Sequence, residues 1–125
     1  MTIGWRKLEE LARAETEATL AALPAPLQAR ARALPVTYED YPSPALQDDG
    51  IEADTLGLFV GESFTEEGHT MDPLPAQIIL FLDNLWDEAE GDADRYRQEI
   101  RTTLLHELGH YLGLEEGDLT TRGLE

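Results

Sequence analysis

A chain of 125 residues without a cysteine is sized for one domain with one modest core, and it excludes disulfides, thiolate metal sites and a cysteine nucleophile. With 26 acidic side chains against 9 basic ones the formal net charge is −17, a field that repels phosphate backbones and anionic membrane surfaces, so neither nucleic acid nor a membrane is expected as a partner. The opening stretch MTIGWRKLEELARAE is charged throughout where a secretion signal needs an apolar core, which predicts a cytoplasmic protein.

From Thr2 to Leu23 the chain is rich in Ala, Leu, Glu and Arg, and Trp5, Leu8, Leu11 or Ala12, and Leu20 or Leu23 recur at helical spacing. This predicts an amphipathic helix over residues 1–23. Pro24 and Pro26 break it, and Pro26 suits the first turn of a short helix running from Leu27 to Ala33, which Pro35 ends. Val36 to Tyr41 mixes β-branched and aromatic residues with acidic ones, the pattern of a half-exposed strand stopped by Pro42 and Pro44. After the turn formers Asp48, Asp49 and Gly50, the apolar run from Thr55 to Val60, bounded by glycine, reads as a second strand.

Gly61 to Ala76 reads as a long polar surface loop, with Gly68, Pro73 and Pro75. Gln77 to Leu82 is the most strand-like segment, with Ile78, Ile79, Leu80 and Phe81 in succession. Asp83 or Asn84 is placed to cap a short turn of helix through Leu85 and Trp86. Beyond Gly91 and the capping aspartates, Tyr96, Ile100, Leu104, Leu108 and Tyr111 follow one face of a helix over residues 92–112. The expectation is a single α+β domain spanning residues 1–125, with helices packed on a small mixed sheet of three to four strands. Residues 113–125 form a short tail.

Inside the last helix the sequence reads His106, Glu107, Leu108, Gly109, His110. Residues four apart share a helix face, so both imidazoles can address one cation while Glu107 lies one step round the cylinder. A catalytic zinc wants three protein ligands and an exchangeable water, and Gly113 followed by Glu115, Glu116 and Asp118 offers the third. Glycine at 113 can adopt the left-handed conformation that ends a helix and folds the chain back. Glu116 is the preferred third ligand, with Glu115 and Asp118 as alternatives. One zinc ion is the expected cofactor, although the same ligand types accept nickel, cobalt or iron.

The string HELGHYLGLEE resembles HExxHxxGxxH, the extended zinc consensus of the metzincin peptidases, with Glu116 where the third histidine would stand. From about Pro24 to Leu119 the order of elements resembles the small bacterial zincin-like metallopeptidase family: a helical start, LPVTYEDYP, LGLFVG, PLPAQIILF and TTLLHELGHYLGLEEGDL. The resemblance implies a zincin-like fold with the zinc motif on the C-terminal helix and a zinc-dependent peptidase acting on peptide or protein. In that family the third ligand position is usually aspartate, so Glu116 is a departure. Only nine residues follow Glu116, and the methionines are Met1 and Met71, so no methionine turn follows the motif. The expectation is a cleft lacking one wall, completed by a protein partner, or left broad in specificity or low in activity.

In the expected chemistry Glu107 is the general base of peptide hydrolysis. Ile78 to Leu82 is nominated as the exposed sheet edge to which an extended peptide adds, the alternative being a buried central strand. A zinc-binding regulatory module with little turnover is the competing reading. A metal-dependent endoribonuclease, sharing a similar histidine spacing, is a third, which the −17 charge opposes. His69 reads as a surface residue of the long loop, and nothing selects among Asp83, Asp87 and Glu88 as groups that orient a ligand histidine.

Overall fold

The computed structural model describes residues 3–60 and 76–112. The chain enters α1 (Trp5–Ala21), which buries Leu8, Ala12, Thr16, Thr19 and Leu20 along one stripe, close to the predicted face. Trp5 departs from it, being 38% exposed. Backbone bonds from Ala22 and Leu23 close the last turn ahead of Pro24, and α2 (Ala25–Arg32) follows with proline in its first turn, where a missing N–H costs nothing.

The strand β1 (Val36–Glu39) comes next. Pro42 and Pro44 do more than stop it: Ser43 accepts a hydrogen bond from the Leu46 N–H at 3.2 Å and caps α3 (Pro44–Asp48), a short helix in place of the expected plain connection. Gly50 then turns with φ +97°, which only glycine adopts freely. The strand β2 (Gly57–Val60) is shorter than predicted at its start, and β3 (Gln77–Phe81) ends one residue early.

Helix α4 (Leu82–Glu88) begins directly after β3, and neither Asp83 nor Asn84 caps it. Instead the Asp83 N–H donates to the Asp40 carbonyl at 3.0 Å, while the Asn84 amide donates to the carbonyls of Ala53 and Thr55 at 2.7 and 2.9 Å. An asparagine inside the helix thus ties down the segment that leads into β2. The helix ends with Glu90 and Gly91 both left-handed, at φ +55° and +75°, and the Gly91 N–H reaching back to the Trp86 carbonyl. Asp92 then caps α5 (Ala93–Leu112) by accepting from the N–H groups of Asp94 and Arg95.

The three strands lie in the order β1-β3-β2, with β1 parallel and β2 antiparallel to β3, so this is an α+β fold with a mixed three-stranded sheet among the described residues. β3 is therefore central. Ile78, Ile79, Leu80 and Phe81 are all buried, as a continuous apolar run requires when both faces of a strand are covered. The nomination of Ile78 to Leu82 as an open edge is overturned, because β3 spends its backbone groups on two neighbours and Leu82 belongs to α4. Among the described residues the outer strands are β1 and β2.

α5 is the spine of the molecule, packed on α1, α4, β2 and β3. Its Tyr96 is fully buried, meets Trp86 edge-on at 5.4 Å, and donates its hydroxyl proton to the Leu8 carbonyl on α1 at 2.9 Å. Burial pushes the Tyr96 pKa up, so the phenol keeps that proton. Ile100, Leu104 and Leu108 continue the buried stripe toward the C-terminal end. Among the described residues no helix is long and apolar enough to cross a membrane.

Candidate metal centre

The buried stripe of α5 fixes what its other side presents. With Leu104, Leu105 and Leu108 turned into the core, His106 and His110 fall on the exposed face and Glu107 sits half-buried between face and core. Nε2 of His106 lies 3.2 Å from Nε2 of His110, with ring centroids 4.7 Å apart and planes at 89°. Two nitrogens bound at 2.0–2.1 Å to one tetrahedral zinc stand roughly 3.3 Å apart, so the pair already has the separation that a shared ion imposes. His106, Glu107 and His110 are the one group among the described residues whose ligand atoms could jointly hold a metal ion. Two imidazoles with no thiolate suit zinc as two of its ligands, with the Glu107 carboxylate beside them.

Glu107 is held from the other side by the sheet. Its Oε1 accepts the backbone N–H of Phe59 on β2 at 3.0 Å. Burial raises the Glu107 pKa, while His106, His110 and that N–H pull it down. The contact needs β2 to lie close against α5, and Gly57 allows it: a Cβ there would meet Thr103 Cγ2 at 2.5 Å and Leu80 Cδ2 at 3.3 Å. Two residues on, the Phe59 ring packs on Tyr111 at 5.7 Å, so Gly57 and Phe59 share the face that looks at α5.

The third ligand expected at Glu116, its alternatives Glu115 and Asp118, and the turn at Gly113 lie outside the described residues, as does His69. Asp83 and Asp87 are not brought to the histidines. Together with Asp40 and the indoles of Trp5 and Trp86 they line a cavity of about 480 Å³ whose walls include none of the three residues of the HExxH motif. Burial, then Asp40 and Asp87, raise the Asp83 pKa. Glu88 is exposed. Among the described residues no carboxylate or carbonyl hydrogen-bonds either imidazole. The roles of Gly57 and of the Phe59 amide were missed by sequence reasoning. A glycine inside the apolar run from Thr55 to Val60 was the available signal for the first; a backbone N–H leaves none for the second.

A helix that carries HExxH, laid beside the edge of a small mixed sheet, defines a zincin-like arrangement. The model of the zincin-like metallopeptidase family matches residues 31–124, three-quarters of the chain, and the protein belongs to that family. No curated protein matches it.

Proposed function

We propose that this protein is a zinc-dependent peptidase in which His106, His110 and Glu116 would hold the ion and Glu107 is the general base. When bound, zinc supplies Lewis acidity that polarises a substrate carbonyl and acidifies water. Glu107 takes a proton from the attacking water as its oxygen bonds to the peptide carbonyl carbon. As the C–N bond breaks, Glu107 hands that proton to the departing nitrogen, leaving a carboxyl group and an amine. The observation that carries the reading is the 3.2 Å separation of the two imidazole nitrogens with Glu107 in the same group.

The sheet supports a peptide as substrate. The Phe81 N–H donates to the Leu56 carbonyl, so in the antiparallel ladder Leu56 and Leu58 spend their backbone groups on β3, and those of Gly57 and Phe59 point away from it, to a side that no strand among the described residues covers. An extended chain can pair there, beside the motif, which moves the docking role from β3 to β2. The test is digestion of a peptide library by zinc-loaded wild type, Glu107→Gln and His106→Ala. Wild type alone should cut, with Glu107→Gln binding zinc normally and His106→Ala losing it. Equal cleavage by wild type and Glu107→Gln rejects the mechanism, and no cleavage by either favours a zinc-binding module instead.

A further inference from the structure

The Phe59 N–H points away from β3, to a side of β2 that no other strand among the described residues covers, and it donates to Oε1 of Glu107 at 3.0 Å. We infer that the backbone amide of Phe59 is a positioning group for Glu107: it ties one carboxylate oxygen and so aims the other at the space in front of the two imidazoles. This inference rests on the peptidase reading for its catalytic meaning, although the contact itself does not.

The physical case has three parts. A glutamate side chain has three rotatable bonds, and anchoring one oxygen narrows the rotamers and carboxylate orientations open to it. The anchor is rigid because β2 is clamped on both sides, by the ladder to β3 and by the Gly57 approach to Thr103. The anchor also sets where a peptide can pair. With the Phe59 N–H engaged, the outward groups left for an extended chain are the Gly57 N–H and the carbonyls of Gly57 and Phe59. The substrate register on β2 is thereby tied to the position of the general base.

The experiment has two arms on the full chain. In the first, amide hydrogen exchange at Phe59 is followed by NMR in wild type, Glu107→Ala and Glu107→Gln, with the Leu58 amide, which faces β3, as internal reference. Phe59 should be protected in wild type, keep protection in Glu107→Gln, whose side-chain oxygen still accepts, and exchange at least about tenfold faster in Glu107→Ala with Leu58 unchanged. Equal Phe59 exchange in all three proteins overturns the contact. In the second arm the Phe59 amide is replaced by an ester through incorporation of phenyllactic acid, which removes the N–H and keeps the side chain. The zinc-loaded ester protein should bind one zinc and lose about 10- to 100-fold in kcat while KM changes less than about twofold. An unchanged kcat, or a loss confined to KM, overturns the positioning role. A wild-type protein that binds zinc and cuts no peptide overturns the peptidase reading and the claim on kcat together, and the exchange arm then judges the contact alone.

Discussion

A methyl group placed at Gly57 measures how closely the edge strand must approach the motif helix. In Gly57→Ala the new Cβ would stand 2.5 Å from Thr103 Cγ2, about 1–1.5 Å inside the ordinary carbon contact of roughly 3.5–4.0 Å. Thr103 is β-branched and sits within a helix, so its methyl has few rotamers to escape into. Overpacking of this kind costs about 1–3 kcal/mol, offset by about 0.4–1 kcal/mol because alanine narrows the unfolded ensemble. The expected net loss is ~1–2 kcal/mol, read by urea denaturation or as a fall in Tm of about 4 °C per kcal/mol. The strand should yield by moving off α5, which lengthens the bond from Phe59 to Glu107 and exposes the Phe59 amide to exchange. Thr103→Ser removes the clashing methyl, so the double variant should recover most of the loss in a double-mutant cycle. Gly57→Ala as stable as wild type, with no coupling to Thr103, would refute the close-approach argument.

Glu90→Gly should stabilise the protein by up to about 1 kcal/mol, since Glu90 is a non-glycine residue at φ +55° and its ion pair with Arg95 is exposed; a lower denaturation midpoint would contradict this. Tyr96→Phe should cost about 1 kcal/mol through the lost hydroxyl bond from α5 to α1, measured by chemical denaturation, with the ring packing on Trp86 unchanged. Carboxyl NMR should find Asp83 titrating above its ordinary 3.8, and Asp87→Asn should lower it. Because the folded pKa is raised, the folded state holds the Asp83 proton more tightly than the unfolded one, so this group's contribution to stability falls as pH rises from near 3.8 through the folded value.

The order of elements was legible because hydrophobic period and proline placement act locally. The stripe Tyr96, Ile100, Leu104, Leu108 placed α5, and the motif on it, with no tertiary information. Helix α3 was missed although its signal was present: Ser43 before Pro44 is a cap followed by a first-turn proline, and the two prolines were read only as breakers. The same ambiguity explains β3. An unbroken run of Ile78 to Phe81 reports burial on both faces, which fits the central strand and not the docking edge, the two places the sequence left open for it. The link between Phe59 and Glu107 could not be read at all, since it joins a side chain to a main-chain group 48 residues away.

Among the described residues β3 alone pairs with both other strands, so neither β1 nor β2 has its partner in this sheet until the segment ending at Phe81 exists. A ribosome that has released the first 60 residues has made two strands that do not touch each other in the finished sheet. Closing the register of Val36 on Ile78 spans 42 positions, so the sheet waits on a long loop while α1 and α2 can form at once. During that interval two strands wait unpaired, and the net charge of −17 sets a repulsion between neighbouring copies against pairing at their edges.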